Sequence, residues 1–109
     1  MTQDKSLARL GQISQLILDV RLAKLQAVAK QRQHSLDLLE QLNVPPADDL
    51  PLVIAHQNGM RYQKWAEARR AEINATLARQ TADMLAARED ASQAFGRNQA
   101  LRGLQGRLR

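Results

Sequence analysis

The sequence predicts an all-α protein folded as a long antiparallel two-helix coiled-coil hairpin with unequal arms. Leu and Ala, 17 of each in 109 residues, dominate a chain that is 44% hydrophobic and 25% charged yet holds one Phe, one Tyr and one Trp. A blend of A, E, K, L and R so poor in aromatics favours long helices over sheet. Apolar side chains also recur in steps of three and four through two long stretches, the spacing of a helical stripe. Between those stretches stands one short run containing all three prolines, Pro45, Pro46 and Pro51.

The first helix is expected over about residues 4 to 42. No proline falls between Ser6 and Leu42, and the stripe runs through Leu7, Leu10, Ile13, Ile17, Leu18, Leu22, Leu25, Val28, Leu36, Leu39 and Leu42. Gln31, Arg32 and Gln33 interrupt it with polar groups, which predicts looser or wetter packing at that turn. Pro45 and Pro46 remove two amide donors and turn the preceding residue away from helical geometry, so a corner is expected at about residues 43 to 50. Asp48 or Asp49 is placed to cap the next helix, with Pro51 tolerated in a first turn whose amides lack partners. A single kinked rod that dimerises is the structural alternative, but the break is longer than a kink needs.

The second helix is expected over about residues 51 to 104, with Gly59 as its softest point. Setting residue 42 against residue 51 gives facing residue numbers a sum of about 93. Asp4 then falls beside Glu89, and residues 91 to 109 project as a bare C-terminal overhang. Arg97, Arg102, Arg107 and Arg109 lie there with no acid, among Phe95, Leu101, Leu104 and Leu108, while Gly96, Gly103 and Gly106 weaken the helix. An unpaired, amphipathic, cationic segment suits docking onto a partner.

Charge follows the same division. Residues 1–50 carry six basic and six acidic side chains, and residues 51–109 carry ten and five, so the net charge of +5 resides in the second half. The absence of cysteine excludes a disulfide framework, thiolate metal ligation and thiol redox chemistry, with a reducing cytoplasm as the default compartment. The amino-terminal MTQDKSLARL lacks the apolar run of a signal peptide, and no segment approaches the roughly 18 apolar residues of a membrane span. A soluble, cytoplasmic, unprocessed protein is the expectation.

A two-helix rod offers no concave, dry site where reacting groups converge. No catalytic residue, cofactor, metal or small-molecule substrate is therefore expected, and neither GxxxxGK[ST] nor GxGxxG occurs. His34 and His56 come close across the expected hairpin, but two imidazoles without a carboxylate or thiolate at helical spacing make a poor metal site. Met60-Arg61-Tyr62-Gln63-Lys64-Trp65 places two of the three aromatics on one side of a helix. Tyr62 suits core and interface equally, whereas Trp65 falls off the Ala66 seam and is expected to be exposed and used for binding.

These residues resemble the FliJ/YscO-like family of flagellar and type III secretion export proteins. The resemblance rests on Tyr62-Gln63 followed by Trp65, on Ile73 with its long polar run, and on the ending Ala94-Phe95-Gly96-Arg97-Asn98-Gln99-Ala100-Leu101-Arg102-Gly103-Leu104. It implies a coiled-coil stalk of the export ATPase, similar in shape to the gamma subunit of rotary ATP synthases, with its joined termini in the hexameric ATPase ring. It also implies contact with the cytoplasmic domain of the export gate through the second helix, starting at Trp65. Tyr62, Trp65, Arg97, Leu101, Arg102, Leu104, Arg107 and Arg109 are the expected partner-binding residues. The alternatives are a basic coiled coil that binds nucleic acid and a chaperone-like or structural coiled coil that shields another protein's helix. Against nucleic acid, the arginines have one aromatic near them and no groove-reading motif.

Overall fold

The computed structural model describes residues 2–43 and 52–107, apart from the side chains of Leu52 and Ala55. It contains two helices, α1 (Thr2–Gln41) and α2 (Leu52–Arg107), of 40 and 56 residues. They form an antiparallel coiled-coil hairpin with unequal arms, as the sequence predicts. α1 starts two residues earlier than expected, and α2 runs three residues further. The proposed corner, the capping roles of Asp48 and Asp49 and the place of Pro51 lie outside the described residues, as do Leu108 and Arg109.

The chain divides into two compact units. The terminal unit joins Met1–Lys30 to Ala82–Arg109, and the corner unit comprises Gln31–Thr81.

In the terminal unit the least exposed positions of α1 are Leu7, Gly11, Ser14, Leu18, Leu25 and Val28, with Gln15 beside Ser14 and Ala29 beside Val28. Those of α2 are Met84, Ala87, Asp90, Ala91, Ala94, Asn98, Leu101 and Gln105. Apart from Gln15, Ala29 and Asp90 these follow alternating steps of three and four, or whole heptads, which is the seam of a left-handed coiled coil. The α2 side of the seam is lined by small residues: Ala87, Ala91 and Ala94 are all buried. Gly11 belongs to the same close approach, since a Cβ there would meet the side-chain amide of Gln105. Gln105 crosses Gly11 to donate its Nε2 hydrogen to the Leu7 carbonyl at 3.1 Å.

These contacts correct the expected register. Leu7 faces Gln105, Gln15 faces Asn98 and Arg21 faces Asp90, so paired residue numbers add to about 112 rather than about 93. The segment from Ala91 to Arg107 is therefore not a bare overhang. It remains helical despite Gly96, Gly103 and Gly106, because packing of one face against α1 outweighs a glycine cost of about 1 kcal/mol each.

In the corner unit a seam of the same spacing runs through Arg32, Ser35, Leu39 and Leu42 against Ala66, Arg70, Ile73, Leu77 and Gln80. The polar interruption in α1 is answered by polar groups on α2, next to an open recess beside Ser35 and Gln80. Arg32 Nε donates to Thr81 Oγ1 at 3.0 Å, and Ser35 Oγ donates to Gln80 Oε1 at 2.6 Å. Pairing about the sum of 93 would instead have set Arg32 against Arg61, two like charges across the seam. At the end of α1, Leu42 packs with Ala66 and Ile73, and with Leu38, Leu39 and Tyr62 around them. Beyond this cluster the start of α2 carries exposed Val53, Ile54 and Met60, with no described segment of α1 opposite them in this register. The unmatched length of the longer arm thus lies at the beginning of α2.

The two registers separate cleanly in one experiment. With cysteines at Arg21→Cys and Asp90→Cys, a short bifunctional maleimide should give an intramolecular crosslink in high yield. Asp4→Cys with Glu89→Cys should give none, because those positions are about 28 Å apart along the seam. The opposite pattern of yields would overturn the register.

Candidate functional site

Two surfaces hold the residues expected to bind partners, one in each unit.

In the corner unit, Tyr62 and Trp65 project from neighbouring turns of α2. Their ring centroids are 5.8 Å apart at an interplanar angle of 44°, a tilted aromatic contact that braces both rings. Tyr62 is half-buried against the Leu42 cluster and its hydroxyl donates to the Leu42 carbonyl at 3.2 Å. Arg70 reaches the same carbonyl from the other side, its Nη2 donating at 3.4 Å. The last carbonyls of a helix have no partner within it, and α1 has no basic residue in its last turn. α2 therefore supplies both the donors and the positive charge that this terminus requires. Trp65 is 55% exposed, in line with its expected place off the Ala66 seam. Behind it Arg69 and Glu72 form a surface pair at 3.1 Å.

The two histidines do not meet. His34 borders a polar recess of about 300 Å³ with Ser35, Arg69, Glu72, Thr76 and Gln80. His56 lies twenty residues before Thr76 on α2, about 30 Å along the helix. The expected proximity rested on the register that the seam contacts exclude. Among the described residues no group of three His, Asp or Glu side chains is placed to hold a metal ion.

In the terminal unit, the residues expected on a bare tip are divided between seam and surface. Arg102 is held across the seam, with Nη2 donating to Gln15 Oε1 at 2.8 Å and Nε to Asn98 Oδ1 at 3.2 Å. Asn98, 3% exposed, donates its amide hydrogen to the same Gln15 oxygen at 2.9 Å. A buried asparagine at a seam position fixes register, because any slip leaves its amide without partners. Leu101 is half-buried. Arg97, Leu104 and Arg107 are exposed, and Arg109 lies outside the described residues.

Sequence reasoning missed a second surface of this unit. Leu10, Ile13, Leu16, Ile17 and Val20 are all exposed on α1, although hydrophobicity alone places most of them in the core stripe. α1 carries two overlapping stripes, and the seam uses the one through Gly11, Ser14 and Leu18. The legible signal was persistence: the row of Leu7 and Leu18 continues through Leu25, Val28, Leu39 and Leu42, whereas that of Leu10, Ile13, Ile17 and Val20 runs into Lys24, Gln31 and His34.

Fold and seam together define a two-helix coiled-coil hairpin with exposed aromatic and aliphatic side chains on its flanks. Comparison with protein-family models, characterised proteins and solved structures finds no match to this chain. No helix among the described residues is long and apolar enough to cross a membrane.

Proposed function

We propose that this protein is a non-enzymatic interaction protein, a stalk or adaptor that links a hexameric export ATPase to the cytoplasmic domain of a flagellar or type III export gate. The observation that carries the reading is Trp65, a large exposed ring braced by Tyr62 on the longer helix, at the position where the resembling family meets the gate. Large aromatics on rigid elements supply contact area at little entropic cost, which makes them dominant anchors of interfaces. The pairing of Leu7 with Gln105 supports the ATPase end of the reading, since it gives a braced two-helix end of the kind a stalk presents to a ring. Arg97 and Arg107 on that end favour encounter with an acidic surface.

The test is co-elution of the full chain with the export ATPase and, separately, with the gate domain. Trp65→Ala should weaken gate binding by about 2 kcal/mol or more, roughly 30-fold, and leave ATPase binding unchanged. Absence of binding to either protein, with normal export in a deletion strain, would end the proposal. Capture of duplex DNA with affinity falling steeply as salt rises would replace it by the nucleic-acid alternative.

A further inference from the structure

Within the terminal unit, the small-residue seam leaves the larger apolar side chains of α1 on one flank. Leu10, Ile13 and Ile17 form one wall of an open groove of about 180 Å³, Leu101 and Arg97 form the other, and Ser14 and Ala94 lie at its base. The groove is almost wholly apolar, and Val20 continues its wall by one further turn of α1. Ile13 is 53% exposed and Val20 66%, so these side chains gain little from the hairpin itself.

We propose that this groove receives an acidic amphipathic helix of a partner protein, completing a three-helix bundle over the terminal unit. The inference rests on reading the chain as an interaction protein and names a contact distinct from Trp65. Leu10, Ile13, Ile17 and Val20 recur at steps of three, four and three, the spacing that meets the apolar face of another helix. The concavity between two helices, floored by small side chains, is shaped to take the ridge of a third.

Charge selects among occupants. Arg97 stands in the groove wall with no acidic partner among the described residues. Lys24 extends the row of Leu10 and Ile17 by one heptad, and Arg107 follows exposed Leu104 by three residues. Asp90, on the same side of α2, is occupied by Arg21 at 3.9 Å. A second copy seated on this flank would bring cations against cations, whereas glutamates flanking an apolar helix face would meet them in complementary fashion. A lipid surface is flat where this site is concave, so the geometry favours a helix over an anionic bilayer.

The probe is a dye-labelled synthetic amphipathic helix with Leu at its a and d positions and Glu at its e and g positions, titrated with the full chain. A second peptide carries Lys in place of each Glu. The Glu peptide should bind about tenfold or more tightly than the Lys peptide, and its affinity should fall with added salt. Ile13→Gln combined with Ile17→Gln should weaken it at least about tenfold with helix content unchanged, because both side chains are already about half in solvent. Arg97→Glu should narrow or invert the preference between the peptides.

Equal binding of the two peptides, or binding unaffected by the Ile13 and Ile17 changes, would overturn the proposal. So would co-sedimentation with anionic phosphatidylglycerol vesicles that the Ile13 and Ile17 changes abolish, or a dimer that the same changes convert to monomer. Co-elution of the Ile13→Gln, Ile17→Gln variant with the export ATPase and the gate domain separates the two readings. Retained co-elution by the variant, with its peptide binding lost, supports two separate contacts; partner binding by the parent chain without preference for the Glu peptide removes the groove alone, and peptide binding without partner binding removes the stalk alone.

Discussion

Ile73→Ala should lower the unfolding free energy by about 2–4 kcal/mol, the largest single loss expected anywhere in the chain. Ile73 is 4% exposed and packs with Leu42 and Ala66, the three buried residues that hold the end of α1 against α2. Truncation removes the transfer free energy of three carbons and leaves a void beside Leu42 that a two-layer structure has few neighbours to refill. A chain of this length has about 5–15 kcal/mol of stability in total, so the change consumes a large share. Urea denaturation checks it through a lower midpoint at unchanged slope, and Ile73→Val should lose only about 0.5–1.5 kcal/mol. A loss below about 1 kcal/mol for the alanine variant would mean that the cluster is not packed as described.

Ala91→Leu carries the second largest effect, and its sign is diagnostic. In a seam with ordinary separation between helices, leucine at a core position adds buried apolar surface and raises stability. Here Ala87, Ala91 and Ala94 are all buried, and Gly11 on α1 lies under the Gln105 side chain. A larger side chain at Ala91, itself 5% exposed in a row of buried alanines, is expected to force the helices apart, at about 1–3 kcal/mol. Ser92→Leu, one residue away on the exposed surface, should shift stability by no more than about 0.5 kcal/mol. A higher thermal midpoint for Ala91→Leu would show that the seam is open and that small residues do not set its spacing.

The export reading has its sharpest test in Trp65→Ala, and the groove has its own in Ile13 and Ile17. The two sets of residues lie in different units, on different helices, so each variant leaves the other surface intact.

Both helices were legible from the spacing of Leu, Ile and Ala, because helical periodicity is a local property that survives without knowledge of the partner. Exposure of Trp65 was legible for the same reason, as a position relative to Ala66 on one helix. The register was not. Placing residue 42 opposite residue 51 assumed a tight corner, and a shift of about twenty residues followed in every pairing across the seam. That shift changed Arg102 from a free cation into an exposed residue that reaches across the seam to Gln15 and bonds Asn98 on its own helix, and it separated His34 from His56.

The apolar stripe of α1 shows where local reasoning stops. Counting hydrophobic side chains favours Leu10, Ile13 and Ile17 for the core, yet Ser14, 8% exposed, is buried and Ile13 is not. Sequence alone determined that the chain forms two long helices, one on each side of the run that holds its prolines, because backbone geometry and spacing act within a few residues. Tertiary structure alone decided which stripe is the seam and which residues face each other. Those choices depend on the close approach of Gly11 to Gln105, on the buried alanine row of α2, and on polar groups such as Gln15 with Asn98 and Ser35 with Gln80 finding partners more than forty residues away.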